Sequence, residues 1–281
     1  MVETPTLLSE GNMRLKQCRH GAMLYNINDV YMGRSLDLYG EYAEDEIRFF
    51  SATLGPGSLA VDVGAHIGCH TVFMAKQVGP GGAVFAFEAQ RVIFQNLCAN
   101  LALNGLSNVR VFNAAAGSEE GAIAVPDVDY EAEGNFGGVS LGGDGGEQVP
   151  LTTIDGLGLP ACHLIKVDVE GMEADVIRGA TETIKTHWPL LYVENDRREK
   201  SPDLIELLLG LDYRLFWHLV NLFNGENFFG HKDNVFGNIV SLNMIGIPKS
   251  RDQNMTGVTE VTGPQDWPVE GAVRDGGGRG A

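Results

Sequence analysis

The chain has 281 residues, 44% of them hydrophobic, and 37 Asp and Glu stand against 20 Lys and Arg, a net charge of −17. That is enough apolar material for a full core, in one large domain or two small ones, and too much for a disordered chain. The negative charge argues against broad contact with nucleic acid or an anionic membrane, which would be repelled at long range, and leaves small molecules, sugars and neutral or cationic acceptors. No run approaches the roughly 20 uninterrupted apolar residues of a spanning helix. The N-terminus MVETPTLLSEGNMRLK lacks the basic-then-apolar order of a secretory signal, so the expected location is the cytoplasm. Cys18, Cys69, Cys98 and Cys162 form no CxxC pair and are expected to be reduced, structural thiols.

In chain order, residues 1–58 are expected to form an N-terminal cover segment with one helical stretch, Tyr42–Phe50, and Gly55-Pro56-Gly57 marks the entry to a catalytic domain at 59–248. Within it, short runs rich in Val, Ile, Leu and Phe alternate with amphipathic stretches, the order of a buried parallel sheet flanked by helices. Strands are expected at Leu59–Val63, Ala83–Glu88, Val109–Asn113, Leu164–Val169, Leu190–Glu194, Tyr213–His218 and Ile239–Ile247. The helices between them fall at Ile67–Val78, Val92–Asn104, Ala174–Thr186 and Asp203–Leu211. Residues 117–150 are Gly-rich and acidic, too long for an ordinary connection, and read as a lid or an insertion. Between Arg110 and Lys166 there are nine acids and no Lys or Arg, so more than half of the net charge of −17 belongs to this region. Residues 251–281, with GGG and no periodicity, read as a flexible tail.

The segment Leu59-Ala60-Val61-Asp62-Val63-Gly64-Ala65-His66-Ile67-Gly68 is a strand that ends in an acid and a glycine turn and opens a helix, which presents backbone N–H groups at the carboxyl edge of a parallel sheet. The pattern is D-x-G-x-x-x-G and not the G-x-G-x-x-G that surrounds a pyrophosphate. Asp62 would repel a pyrophosphate but can engage an ammonium group, and S-adenosylmethionine carries an ammonium and no phosphate. Glu88, at the tip of the next strand and twenty residues past Gly68, stands where an acid accepts both ribose hydroxyls. Asn113 and Ala114 follow the third strand, where an adenine edge could meet Asn113 or backbone. The expected cofactor-binding residues are therefore Asp62, Gly64, Ala65, His66, Gly68, Glu88, Ala89, Asn113 and Ala114.

The segments VDVGAHIGCHT (61–71), FAFEAQ (85–90), NLALNG (100–105), LIKVDVEGMEADVIRGA (164–180) and LYVEND (191–196) together resemble the FkbM-type branch of the class I S-adenosylmethionine-dependent methyltransferases. The resemblance implies a Rossmann-like α/β fold with a seven-stranded, mostly parallel sheet and an antiparallel last strand. It also implies S-adenosylmethionine as methyl donor, and O-methylation of a hydroxyl on a sugar, polyketide or related metabolite. Gln90 stands where many members have proline, and His66 where asparagine is frequent.

Methyl transfer is an in-line displacement, so the protein must align the acceptor oxygen and help remove its proton. Strand alternation places Lys166, Asp168 and Glu170 on one side of the fourth strand, three ionisable groups that need partners or a ligand. Asp168 is the expected acceptor-side carboxylate and Glu170 the expected proton acceptor or hydroxyl anchor; structural pairing with Lys166 is the alternative for both. After the fifth strand, Glu194 and Asn195 are expected to hold the acceptor. If a divalent ion is used, the weaker of the two readings, its ligands would be Asp168, Glu194 and Asn195, by positional analogy with catechol-type enzymes. His218 could be a general base, because its ordinary pKa lies near neutrality, or a structural histidine. Arg197-Arg198-Glu199-Lys200 reads as a capping turn or as a site for an acidic acceptor, and Phe223–Phe229 and Phe236 as aromatics that could stack on a sugar. A methyltransferase of protein or RNA, and a nicotinamide-dependent oxidoreductase, are the rival functions.

Overall fold

The β-rich segments of the chain pair as their apolar patterns require, and the computed structural model describes them over residues 6–143, 145–252 and 255–268. The N-terminal part forms a three-stranded antiparallel sheet, β1 (Thr6–Glu10), β2 (Met13–Cys18) and β3 (Gly21–Asn26), followed by α1 (Met32–Tyr39) and α2 (Glu44–Thr53). The chain then runs β4 (Leu59–Val63), α3 (Cys69–Val78), β5 (Ala83–Phe87), α4 (Arg91–Leu103) and β6 (Val109–Phe112). Residues 115–152 add β7 (Ala115–Ala116), β8 (Gly121–Val125) and β9 (Glu147–Thr152), which make a small sheet of their own. The main sheet resumes with β10 (Leu164–Val167), followed by α5 (Glu173–Arg178), α6 (Thr181–His187), β11 (Leu190–Glu194), α7 (Ser201–Gly210), β12 (Tyr213–Asn221), β13 (Val240–Pro248) and β14 (Thr259–Glu260).

The main sheet has the order β14-β12-β13-β11-β10-β4-β5-β6. Strands β6, β5, β4, β10 and β11 are parallel, and β13 enters antiparallel between β11 and β12. The expected seven strands with an antiparallel last member are all present, in a Rossmann-like α/β arrangement, with β14 as an eighth, short edge strand on β12. Strand alternation divides the core. Val61, Val63, Ile165, Val167, Leu191 and Val193 pack in one cluster with α5 to α7, whereas Ala60, Leu164 and Tyr192 pack in another with Ile47 and Phe50 of α2 and Met74 and Ala75 of α3.

Three local expectations are corrected. The helix expected over Ala174–Thr186 is two helices, because Gly179 passes the backbone of Gly117 so closely that a Cβ there would lie 1.9 Å from the Gly117 carbonyl oxygen. The new start at α6 is capped by Asp155, whose carboxylate accepts from the Thr183 and Glu182 N–H groups at 2.7 and 3.0 Å. The fourth strand ends at Val167 and not Val169, since Glu170 (φ 57°) and Gly171 (φ 102°) turn the chain in left-handed conformations. Of the expected tail, residues 259–260 return to the sheet as β14 and Trp267 packs edge-on against Trp217 at 5.8 Å; residues 269–281 lie outside the described residues. Among the described residues no helix is long and apolar enough to cross a membrane.

Candidate active site

The carboxyl ends of β4, β5, β10 and β11 open into a cavity of about 810 Å³. Gly64, Ala65 and His66 of the β4–α3 turn, Glu88 and Ala89 after β5, Ala114 after β6, and Asp168 after β10 all line it, as do Glu170 and Glu194. The N-terminal segment adds Tyr31, Met32, Tyr42 and Glu46, and the acidic segment adds Asn135, Gly137, Val139 and Leu141 to the lining. Gly64 must be glycine: its φ is +75° and a Cβ would fall 1.8 Å from the Asp168 carbonyl oxygen. His66 holds a left-handed backbone at φ 49°, a conformation that histidine and asparagine tolerate better than most residues, which accounts for the histidine where asparagine is frequent.

One end of the cavity is built around Glu88. Its two carboxylate oxygens accept from the backbone N–H groups of His66 at 2.9 Å and Gln90 at 2.8 Å, and each keeps lone-pair capacity toward the cavity. Burial pushes the Glu88 carboxyl up to about 7, against those two N–H groups, which act to lower it. Gln90 bridges to the acidic segment, donating to the Phe136 carbonyl at 2.7 Å and accepting from the Tyr130 hydroxyl at 3.0 Å. Asn113, expected to meet an adenine edge, instead donates to the Glu88 and Ala89 carbonyls at 3.0 Å each and shapes the turn behind them. Gly68, at φ +89°, opens α3 against Leu97 and also does not line the cavity.

Asp62 and Lys166 are register partners on β4 and β10; Lys166 lines the cavity, whereas Asp62 lies behind it, fully buried. Lys166 Nζ lies 3.2 Å from Asp62, 3.6 Å from Asp168 and 3.1 Å from the Gly64 carbonyl to which it donates. Thr71 donates to the other Asp62 oxygen at 2.6 Å. Burial alone would depress the Lys166 amine, yet the carboxylates beside it, Asp62 first and then Asp168, hold it above the usual lysine range, so it stays charged. Asp62 is therefore corrected from a ligand-facing acid to the fully buried partner of Lys166.

On the opposite side, Asp168, Glu170 and Glu194 present carboxylate oxygens within 4.8 Å of one another. Glu170 is bound to Arg197 at 2.5 Å, and Lys200 donates to the Gly171 carbonyl at 2.7 Å, so Arg197 and Lys200 latch the β10–α5 turn while Arg198 faces the cavity. Asn195 is turned away: it donates to Ser201 Oγ at 2.9 Å and lies 3.3 Å from the Met244 sulfur. The ion ligand set Asp168, Glu194 and Asn195 is thus not assembled, and the trio that is assembled already has cationic partners in Lys166 and Arg197. His218 is corrected as well. It sits on β12, away from the cavity, with Nδ1 2.9 Å from the Tyr192 hydroxyl, and burial lowers its pKa. Of the loop aromatics, Phe236 lines the cavity beside Leu222, whereas Phe223 packs on Tyr39 and Phe229 against Gly40.

The residues that sequence reasoning missed come from α2 and α3. Glu46 is 4% exposed, accepts from Asn243 at 3.2 Å and lies 3.6 Å from His70 Nε2. Burial, with the Asp168 charge nearby, raises the Glu46 carboxyl to about 8. Burial and Lys166 lower His70 to about 4, so it is neutral near pH 7. One signal was present: Glu46 precedes Phe50 by four residues and so lies on the buried face of its helix.

Comparison with known proteins places these features. The Methyltransferase FkbM domain matches residues 62–215. Methyltransferase 1 of Beauveria bassiana is 29% identical over 189 residues, 58% of this chain and 74% of that protein. Methyltransferase sdnD of Sordaria araneosa is 30% identical over 175 residues, 50% of this chain and 66% of that protein. Among solved structures, methyltransferase FkbM from Methylobacillus flagellatus KT is 18% identical over 72% of this chain and 50% of that chain, with a TM-score of 0.45. With the matched domain covering more than half of its length and carrying the glycine turn, Glu88 and Asp168, the chain belongs to the FkbM methyltransferase family.

Proposed function

We propose that the protein transfers the methyl group of S-adenosylmethionine to a hydroxyl of a small acceptor, a sugar or glycan precursor or a related metabolite. The observation that carries this reading is Glu88, a carboxylate pinned by two backbone N–H groups at a strand tip beside a glycine turn. It suits a ribose diol, and the glycine turn beside it lacks the G-x-G-x-x-G pattern that surrounds a pyrophosphate. Gly64 to His66 pass close enough for backbone contact, and Ala114 leaves room for a flat base. S-adenosylmethionine brings a methyl group on a positively charged sulfur.

The chain's own contribution is alignment and proton removal. Asp168, half exposed to the cavity and anchored by Lys166, is placed to accept the hydrogen bond of the acceptor hydroxyl and then its proton as the carbon–oxygen bond forms. Glu194 and Arg198 line the same side and orient the rest of the acceptor. The cavity walls contributed by Tyr31, Met32 and Tyr42 and by Val139 and Leu141 shield the acceptor from bulk water. Incubating the protein with methyl-labelled S-adenosylmethionine and a small-molecule cell extract should yield labelled product whose methyl carbon resonates as a methyl ether. A label found only on nitrogen, carbon or sulfur would refute the O-methyl assignment.

A further inference from the structure

An ammonium group entering the cavity would ordinarily be met by an acid in the first strand and by the carbonyl of the glycine turn. Here Asp62 is fully buried and does not line the cavity, its Oδ1 lies 3.2 Å from the charged Lys166 Nζ, and Lys166 donates to the Gly64 carbonyl at 3.1 Å. Placing a second cation on those same oxygens would set two like charges in contact inside a buried site. Another acceptor is required, and one faces the cavity on the same side of the sheet. Glu46 is buried, lines the cavity, accepts from Asn243 at 3.2 Å and lies 3.6 Å from His70, while the Lys166 charge acts on it without forming an ion pair. The buried Nε2 of His70 has no hydrogen-bond partner among the described residues.

Resting on the methyl-donor reading above, the geometry points to Glu46 as the carboxylate that receives the ammonium of the donor's methionyl end, with His70 beside it. This assigns a cofactor contact to α2, outside the span 62–215 that the family domain matches. The groups facing Glu46 are Lys166 and Asp168 from β10, Tyr192 from β11, Ser241 and Asn243 from β13, His70 from α3, and Tyr42 just ahead of its own helix. Its raised carboxyl, about 8, means that ammonium binding at lower pH must ionise it and release a proton.

The test is calorimetry with S-adenosylhomocysteine and with 5′-methylthioadenosine, which keeps the adenine, ribose and sulfur but lacks the amino-acid end. Glu46→Gln should weaken S-adenosylhomocysteine about 10- to 100-fold and leave methylthioadenosine within about twofold. In the unmodified protein near pH 7, S-adenosylhomocysteine should release roughly half a proton or more, measured in buffers of different ionisation enthalpy, and methylthioadenosine none. Unchanged S-adenosylhomocysteine affinity in Glu46→Gln, equal loss for both ligands, or no proton release in the unmodified protein would overturn the assignment. Failure of the unmodified protein to bind either ligand would instead overturn the methyl-donor reading on which it rests.

Discussion

The proposed reaction divides its work between two carboxylates, Glu88 and Asp168, that lie in different surroundings. Glu88 is buried and held by backbone donors, whereas Asp168 has a side chain 40% exposed and a lysine 3.6 Å away. Glu88→Gln keeps the shape and loses the charge-assisted hydrogen bonds to a diol, so S-adenosylhomocysteine should bind about 10- to 100-fold more weakly in calorimetry, with an unchanged circular dichroism spectrum. Asp168→Asn should lower turnover about 100- to 10,000-fold while S-adenosylhomocysteine still binds. His218→Ala should keep turnover, because its imidazole is committed to Tyr192 on the far side of β13; a loss as large as that of Asp168→Asn would contradict the placement.

The strand ends and α2 decide the energetics at the next scale. Lys166 is a fully buried cation among acids, and replacing it by methionine leaves Asp62 buried without its counter-charge, a change that costs about 3–5 kcal/mol in chemical denaturation. Titration of α2 has a definite sign. Folded Glu46 holds its proton up to about 8 and Glu88 up to about 7, against an ordinary 4.5 for both. Between about pH 6.5 and 8 the native state therefore binds more protons than the unfolded chain, and stability should fall as the pH rises, by roughly 1–2 kcal/mol for Glu46 alone. His70 acts in the opposite sense, but only below its ordinary 6.5. Urea denaturation at the two pH values should show this slope, and Glu46→Gln should flatten it. The strands were legible because their apolar runs are short and β-branched, and Asp62, Glu88 and Asp168 because each closes such a run. The pairing of Lys166 with Asp62 was not legible, since it depends on the register between two strands 104 residues apart.

Across the whole molecule, the acidic stretch between Arg110 and Lys166 is a cavity wall as much as a source of charge. Phe136 is buried, Val139 and Leu141 line the cavity, and Glu147 pairs with Arg91 on α4. Its glycines hide β7 to β9 from a periodicity argument, because β8 and β9 become strands only by pairing with each other. The N-terminal sheet was illegible for a similar reason: only Met23 and Tyr25 alternate as buried side chains in β3, too short a pattern to read. Together these walls and the strand ends make one cavity suited to a nucleoside with an amino-acid tail and no phosphate. The direct test of that claim is calorimetric titration of the unmodified protein with S-adenosylhomocysteine and, separately, with NAD. Saturable one-to-one binding of S-adenosylhomocysteine and no binding of NAD is the predicted result; binding of NAD with no response to S-adenosylhomocysteine would contradict it.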